Sequence, residues 1–419
     1  MKKGFKASGV VYVLVMAVLL WLAAGLDKAD AQILSLDLPN REGVEVGNII
    51  VHSAFQTGVD FESNIFLSEQ SEDADIITYY RPSFGVEIPM EDNRLSLEYD
   101  ANVAEFSDHI EQSHIDHRMR GLAEIFWTDY EIKISDVYQR YTTRAGSDET
   151  GLPGSRQRKW HNTILASIET ELDQLECKLT YINEMDKYLQ KNKPLFGPMN
   201  YDDKNYTLNA LDIEAGYRFQ PKTTFLFNLV GGLINYYSSP LVPDSYYIES
   251  LFGIKGEWFG KFTFNMRGGV KYQEYDRSTF MEDDNYVDFV ARGGIDYAAS
   301  EDDTLRLTVI RTNRDSIHHT MNYYAMNFVA LDYIHNFTDK ITSDVYFSWQ
   351  RNQYPDETLV DGDLAERRDD ICAVGAMLRY DVRDWLSLQV GHEFRKKDSK
   401  FRRYNYDDHV TSLRATVGF

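Results

Sequence analysis

The chain has 419 residues, 26% of them charged, and its formal net charge of -22 argues against a nucleic-acid-binding protein, because phosphates are bound by lysine and arginine side chains. The mean hydropathy of -0.44 is that of a soluble protein. Such an average does not exclude a membrane β-barrel, since the polar and apolar faces of its strands cancel.

The N-terminal residues 1–31 predict a cleaved secretory signal peptide. Lysines at positions 2, 3 and 6 precede an apolar run at 10–26, and alanines at 29 and 31 form an A-x-A pattern before Gln32. An uncleaved helical anchor is the alternative. Residues 32–48 would then form a short periplasmic N-terminal segment. No later stretch has about 18 consecutive apolar residues, so we expect an exported chain that enters a membrane only as a barrel.

From residue 49 onwards, apolar and polar residues alternate. In "TLRLTVI", for example, Leu305, Leu307 and Val309 share one face, and Arg306 and Thr308 share the other. A period of two is typical of a β-strand with two different faces. About eighteen such strands can be counted, with sixteen as the alternative. They are expected at 50–61, 76–88, 94–106, 116–127, 131–143, 160–172, 175–188, 206–219, 223–236, 246–258, 261–275, 285–298, 304–315, 322–336, 341–353, 368–382, 385–397 and 406–419.

The connectors between these strands alternate between short and long. Short ones include 128–130 and 220–222, and long ones include 147–159, 188–205 and 352–370. This alternation is typical of an outer-membrane barrel, with tight periplasmic turns and longer external loops. We therefore predict that residues 49–419 form a single transmembrane, antiparallel, up-and-down β-barrel. The short lead before the first strand predicts no plug domain, although a long loop could fold inward.

Aromatic residues make up 14% of the chain and are expected to form two girdles at the membrane interfaces. The rim with the short turns would collect Phe126, Trp127, Tyr130, Phe219, Trp258, Phe259, Phe262, Tyr297, Phe337, Trp385 and Phe419. The opposite rim would collect Tyr79, Tyr80, Tyr236, Tyr237, Tyr246, Tyr247, Tyr272, Tyr323, Tyr324, Trp349, Tyr404 and Tyr406. A soluble β-sandwich or propeller is the alternative, but the blade repeat of about 40 residues that a propeller needs is not found.

The two cysteines, Cys177 and Cys372, share their parity with the apolar residues Leu179 and Leu378. Both should therefore face lipid, on opposite walls of the barrel. We expect two free thiols, because a disulfide cannot join cysteines whose Cα atoms are more than about 7 Å apart.

Eighteen strands would give a backbone diameter of about 36 Å, which leaves room for an aqueous lumen. Charged residues of the inward parity are predicted to line this lumen, as a solvated wall of paired charges or, in part, as a constriction that selects solutes. These candidate pore-lining residues are Glu98, Asp100, Asp212, Glu214, Lys255, Glu257, Arg267, Lys271, Asp288, Arg292, Asp296, Arg306, Asp344, Arg379, Asp381, Glu393, Arg395 and Arg414.

Enzymatic and metal-binding patterns are weak. The segment "SDHIEQSHIDH" (107–117) gathers His109, His114, His117, Asp108 and Asp116, but their spacing does not fit a helical zinc motif. The acidic segment 356–370 lacks the calcium-binding loop pattern with its closing glutamate. No placed nucleophile–base pair and no phosphate-binding glycine loop is found. We therefore predict neither an enzyme nor a cofactor or metal site.

Four short motifs resemble a known family: "DFESNIFLSE" (60–69), "YYRPSFGVEI" (79–88), "NRLSLEYDANVAEFSD" (93–108) and "SDVYQRYTT" (135–143). They are similar to β-barrel porins encoded in bacterial exopolysaccharide and capsule loci. Arg81 with Pro82, and Asn64 with Phe66, match the family pattern and are interpreted as structural. The resemblance implies a Gram-negative outer-membrane channel associated with export of surface polysaccharide.

The partners this implies are outer-membrane lipid, the barrel assembly machinery, polysaccharide and periplasmic export components. Two other functions stay open. One is a passive diffusion porin for small solutes, and the other is a structural or adhesive barrel whose loops matter more than its lumen.

The last residue, Phe419, has the parity of Leu413 and Val417 and is predicted to face lipid. A final strand that ends in an aromatic residue resembles the signal read by the barrel assembly machinery. We expect deletion of Phe419 to lower the amount of folded protein in the outer-membrane fraction, measured as the heat-sensitive band on a gel. Normal insertion of the truncated chain would contradict this assembly role.

Overall fold

The chain folds into a long series of antiparallel β-strands in this computed structural model, which describes residues 43–70, 72–144, 156–189, 204–237, 243–276, 285–316, 323–360 and 363–418. The predicted signal peptide, most of the segment 32–48 and Phe419 lie outside these residues. Within the described ranges, no helix is long and apolar enough to cross a membrane. Single-turn 3₁₀-helices such as Ile110–Gln112 and Arg402–Tyr404 lie between strands.

Nineteen strands make up the fold of the described residues. They are β1 (Val44–Val46), β2 (Ile49–Glu62), β3 (Asp75–Met90), β4 (Asn93–Phe106), β5 (His114–Trp127), β6 (Tyr130–Thr142), β7 (Arg158–Leu172), β8 (Leu175–Tyr188), β9 (Tyr206–Gln220), β10 (Thr223–Tyr236), β11 (Ser245–Trp258), β12 (Phe262–Tyr275), β13 (Tyr286–Ala298), β14 (Asp303–Asp315), β15 (Tyr323–Thr338), β16 (Ile341–Val360), β17 (Asp363–Arg383), β18 (Leu386–Ser399) and β19 (Tyr406–Gly418).

The sheet closes on itself. Each strand from β2 to β19 pairs antiparallel with the next, and β19 returns to β2 with Val417 opposite Phe55. The result is a closed barrel of eighteen strands. The short strand β1 pairs with the first residues of β2, beyond the point where β19 ends with Gly418 opposite Ala54. Strand β1 thus covers an edge of β2 that β19 does not reach.

The predicted all-β barrel and its count of eighteen strands are confirmed, and most strand bounds agree to within two residues. The predicted long connector 352–370 is wrong. Strands β16 and β17 continue to Val360 and from Asp363, because their pairing resumes after an irregularity between Gln353 and Glu357. Strand β1 was not expected either.

The two ends of the barrel differ in their connections. Turns of two residues join β3 to β4 and β5 to β6, and Glu91 and Thr128 in these turns have φ of +56° and +51°. The opposite end carries the longer connections, such as 63–74 and 107–113. We call these the turn end and the loop end. In outer-membrane barrels the turn end faces the periplasm.

Successive residues of each strand point to opposite sides of the wall, and the outer side is apolar. Phe252, Leu97 and Leu413 are 67%, 53% and 58% exposed, whereas the alternate positions carry buried polar side chains such as Asn228 and Gln273. A soluble protein rarely exposes so many large apolar side chains together. An outward apolar band of this kind is the surface a barrel presents to lipid.

The predicted aromatic girdle at the turn end is present, with exposed Trp127, Tyr130, Trp258, Phe337 and Trp385. The girdle predicted for the loop end is wrong in part. Neighbouring residues of a strand point to opposite faces, so each of the predicted pairs 79/80, 236/237 and 246/247 contributes only one member to the outside: Tyr80, Tyr237 and Tyr246. By the same alternation, Tyr324 and Tyr406 also face inward.

Polar side chains interrupt the apolar outer face on β6 to β9. Asn162 Nδ2 donates a hydrogen bond to Asp136 Oδ1 at 2.6 Å. Asn183 Nδ2 and Tyr181 Oη both donate to Asn209 Oδ1, at 2.9 and 2.8 Å. These bonds lower the free-energy cost of placing polar groups against lipid.

The wall is least regular between β13 and β14, whose pairing stops at Ala291 opposite Arg311. Beyond that pair, Arg311 Nε donates to Phe289 O at 3.1 Å, and Nη2 donates to Asp288 Oδ1 at 3.1 Å. Its Nη1 donates to Asn327 Oδ1 on β15 at 2.8 Å. One side chain therefore joins three strands where the backbone ladder ends.

Cys177 on β8 and Cys372 on β17 have the outward parity and are both free cysteines. Their strands are nine apart in the ring of eighteen, which is the greatest separation that the barrel allows.

Closure of β19 on β2 can be tested by cross-linking. Thr57 and Ala415 are opposite each other across this junction, within the Cα separation that a disulfide spans. In a Cys177→Ser, Cys372→Ser background, the pair Thr57→Cys and Ala415→Cys should oxidise to a species with faster gel migration. The control pair Thr57→Cys and Ala376→Cys, placed on β2 and β17, should not. Equal behaviour of the two pairs would contradict the closed ring.

Candidate functional site: the barrel lumen

Contacts that skip strands identify the inner side of the wall. Lys255 Nζ on β11 lies 2.6 Å from Glu176 Oε2 on β8, passing over β9 and β10. Tyr236 Oη on β10 donates to Asp315 Oδ2 on β14 at 3.0 Å. Only the concave face of a closed sheet brings such distant strands together. This face is the lumen lining.

All eighteen candidate pore-lining residues have the parity of this inner face, as the strand register shows. A role in selecting solutes stays a prediction. Several candidates pair with each other: Arg267 with Glu214 at 2.8 Å, Arg306 with Asp296 at 2.8 Å, Arg379 with Asp381 at 3.0 Å and Arg395 with Glu393 at 3.0 Å.

Other candidates pair with residues that the sequence analysis did not single out. These pairs are Lys255 with Glu176, Arg414 with Asp60, Arg292 with Glu249, Asp288 with Arg311, Glu98 with Arg120 and Glu257 with Lys222. Two further candidates form hydrogen bonds with neutral groups: Asp212 accepts from Asn228 Nδ2 at 3.1 Å, and Lys271 Nζ donates to Asn313 O at 3.4 Å. The last two are placed by the strand register, with Asp100 opposite Arg118 and Asp344 opposite Met377.

Glu176 is the clearest of these missed residues. Its carboxylate accepts from Arg218 Nη2 at 3.0 Å and Thr224 Oγ1 at 3.2 Å, and it pairs with Lys255. Glu176 thus ties β8 to the next three strands. A signal for it was present in the sequence, because an outward Cys177 implies an inward Glu176.

A second buried carboxylate organises the loop end. Asp369 is fully buried and pairs with Arg367 Nη2 at 2.6 Å and Lys397 Nζ at 3.2 Å. The Arg367 guanidinium also lies over the rings of Tyr404 and Tyr354, at 4.0 and 4.8 Å from their centroids. Arg367 is not among the predicted lumen residues because the sequence pattern indicates a loop there, whereas β17 already begins at Asp363.

Exposure of the lumen charges differs along the barrel. Towards the turn end, the side chains of Glu98, Arg94 and Arg306 are 50%, 41% and 37% exposed. At the loop end, Asp369 and Arg395 are buried. Water therefore screens Glu98, Arg94 and Arg306 far more than Asp369 and Arg395, although Glu176 near the turns is also buried.

Six consecutive strands, β8 to β13, each carry an inward tyrosine at or near the loop end. We call this set the tyrosine arc: Tyr188, Tyr206, Tyr236, Tyr247, Tyr275 and Tyr286. Ring centroids of Tyr206 and Tyr236 are 5.8 Å apart, and those of Tyr275 and Tyr286 are 6.4 Å apart. The arc lines about a third of the barrel wall.

Carboxylate and amide groups fix the hydroxyls of the tyrosine arc. Asp315 accepts from Tyr236 Oη, Tyr275 Oη and Gln273 Nε2, each at 3.0 Å. Tyr286 Oη in turn donates to Gln273 Oε1 at 2.7 Å. Asp315 reaches these side chains because it lies beyond the last β13–β14 pair.

The connection between β2 and β3 packs against inward side chains. Ile65 is fully buried in a cluster with Ile77 and Phe106, and Arg156 Nη2 donates to Ile65 O at 3.0 Å. Burial lowers the pKa of the Arg156 guanidinium. Arg144 pairs with both Glu62 and Asp408 beside this segment.

The side chains of the histidine segment 107–117 do not converge. Its three histidines have different partners: His109 with Asp75 at 3.0 Å, His114 with Asp116 at 3.5 Å and His117 with Tyr99 at 2.8 Å. Part of the predicted loop is strand, since β5 begins at His114. Among the described residues, no group of three or more metal-ligating side chains converges.

Two carboxylates of the lumen form a matched pair for a stability test. Asp369→Asn removes a buried partner of Arg367 and Lys397, and should lower the free energy of unfolding by about 3–5 kcal/mol. Asp381→Asn affects a side chain that is 34% exposed beside Arg379, and should lower it by less than about 1 kcal/mol. Urea unfolding of the refolded barrels measures both values. Equal losses would contradict the assigned difference in burial.

The comparison with protein families agrees with this architecture. Residues 39–419 match the family described as "Putative beta-barrel porin 2", and no curated protein matches the chain. Two solved structures from Pseudomonas aeruginosa are similar. Outer membrane protein OpdK is 10% identical over 88% of this chain and 99% of its own, with a TM-score of 0.46. OccK2 (OpdF) in complex with glucuronate is 8% identical over 88% of this chain and 98% of its own, with a TM-score of 0.48.

Because the family match spans every strand of the barrel, the chain belongs to the "Putative beta-barrel porin 2" family and is an outer-membrane β-barrel of the porin type.

Proposed function

We propose that this barrel passes saccharide chains through the outer membrane, and that its role is the export of surface polysaccharide. The tyrosine arc is the observation that carries the proposal. It places aromatic rings and hydroxyl groups side by side on six neighbouring strands, with the rings of Tyr206, Tyr236 and Tyr247 partly exposed and those of Tyr188, Tyr275 and Tyr286 buried.

Sugar rings suit such a surface. A pyranose has apolar C–H faces, which pack against aromatic rings, and hydroxyl groups, which exchange hydrogen bonds with carboxylates and amides. Tyrosine combines an apolar ring with a polar tip. Asp315 and Gln273 supply acceptors and donors within the same arc. Because the arc runs around the wall at the loop end, each sugar unit of a passing chain would meet the same set of rings as it crosses this level.

The charges of the lumen favour a neutral or an acidic polysaccharide. Basic side chains such as Arg414, Arg395 and Lys397 line the wall on β18 and β19, across the barrel from the tyrosine arc. Each of these cations already contacts a carboxylate, so a saccharide chain would meet paired charges on this side of the lumen and the tyrosine arc on the other.

A passive diffusion porin for small solutes is the second candidate. The half-exposed ion pairs near the turn end, such as Arg306 with Asp296, favour it, because a solvated lining of mixed sign admits small solutes without binding them. The two functions predict different phenotypes.

The tyrosine arc can be tested by channel recording. Oligosaccharides added to the purified barrel in a planar bilayer should interrupt the ion current. Tyr247→Ala should shorten each interruption by about threefold or more, because aromatic contacts contribute about 0.5–1.5 kcal/mol. Tyr246→Ala is the control, since this neighbouring tyrosine faces outward. A barrel that never conducts would refute the pore, and equal effects would refute the arc.

Deletion of the gene separates export from diffusion. We expect surface polysaccharide to fall and to be restored by the wild-type gene but only weakly by the Tyr247→Ala gene. Unchanged polysaccharide together with altered uptake of small solutes would establish the diffusion porin instead.

A further inference from the structure

We propose that Arg81 is an oxyanion-binding residue of the lumen and that it takes the carboxylate of an acidic saccharide. This inference rests on the proposed function in one respect: the acidic saccharide has to reach Arg81 through the lumen of the barrel. Arg81 lies on β3 with the inward parity and is 1% exposed.

The guanidinium of Arg81 is held by neutral groups alone. Nε donates to Asn102 Oδ1 at 2.7 Å, and Nη1 donates to Gln56 Oε1 at 3.0 Å. Nη2 is buried and has no hydrogen-bond partner. The Tyr79 ring lies against the guanidinium, with its centroid 4.5 Å from Cζ.

The other buried arginines of the described lumen wall have carboxylate partners. Arg367 pairs with Asp369 at 2.6 Å and Arg267 with Glu214 at 2.8 Å. No carboxylate of the described residues lies within 4.0 Å of the Arg81 nitrogens. A buried charge without an opposite charge is strongly unfavourable, so this position lacks the anion that the others have.

The neighbouring charges do not supply that anion. Asp60 is near, but it is already paired with Arg414 Nη2 at 3.2 Å. Arg414 adds a second positive charge beside Arg81. These three side chains together carry one net positive charge, which an oxyanion would neutralise.

Gln56 provides a route to the guanidinium. Its Nε2 also donates to Thr416 Oγ1 at 2.9 Å, so the amide can turn away from Arg81 and keep one partner. The Nη1–Nη2 edge would then be open to an oxyanion. Two parallel N–H···O bonds along such an edge are the geometry in which arginine binds carboxylates.

A sugar carboxylate fits this environment better than a bare ion. The Tyr79 ring covers one face of the guanidinium, and the apolar side chains of Ile77 and Phe106 follow on β3 and β4. A pyranose bearing a carboxylate would place its apolar face against the tyrosine ring and its oxyanion against Arg81.

The test is ligand binding to the purified, detergent-solubilised barrel by calorimetry. Galacturonate should bind, and galactose should bind at least tenfold more weakly. Arg81→Gln should weaken galacturonate binding about tenfold or more, since hydrogen bonds to charged groups are strong. Arg81→Lys should restore part of the affinity. Arg306→Gln is the control, because it removes the same charge from a cation already paired with Asp296.

Three outcomes would overturn the proposal: equal binding of galacturonate to wild type and Arg81→Gln, an equal loss of affinity in Arg306→Gln, or inorganic phosphate binding as tightly as galacturonate.

Stability gives an independent readout. An arginine that merely ties Gln56 to Asn102 would make Arg81→Gln unfold at lower urea, whereas removal of an unneutralised charge should leave the midpoint equal or higher without ligand. Because binding is measured without transport, failure here leaves the conductance and export results standing.

Discussion

The hydrogen-bond ladder that closes β19 on β2 is the interaction on which the rest of the structure depends. In hydrocarbon, every backbone N–H and C=O group must be paired within the protein, and a closed ring pairs them without leaving an edge. An even number of antiparallel strands with short turns at one end follows from this closure. So does the alternation of residues, because each strand separates lipid from an enclosed polar space along its whole length.

Enclosing polar residues sets a second constraint on the chain. Charges that point into a narrow space lose much of their hydration, so they must find partners across the strands. The lumen meets this requirement in two ways. Near the turns, water screens half-exposed pairs such as Arg306 with Asp296. Near the loops, carboxylates such as Asp369 hold more than one cation each. The tyrosine arc lies in the second region, where little water competes for its hydroxyls.

The strand bounds and the faces of the strands could be predicted from the sequence, because a period of two is a local property. Register between strands is not local. The contact between Lys255 on β11 and Glu176 on β8 depends on the pairing of four strands. No sequence feature of β8 or β11 predicts it. The neutral surroundings of Arg81 were hidden for the same reason. Neighbouring tyrosines such as Tyr246 and Tyr247 both count towards the loop-end girdle by composition, whereas the alternation of the strand puts only Tyr246 on the outer face.

The early end of pairing between β13 and β14 has a mechanical consequence. A force that pulls two strands of a barrel apart is shared by all the backbone hydrogen bonds between them. At the β13–β14 junction, several of these bonds are replaced by the contacts of one side chain, Arg311. Under lateral tension from the bilayer, separation should begin there and run towards the turn end. Amide protons of the neighbouring strand segments should likewise exchange with solvent earlier than those of any fully laddered junction.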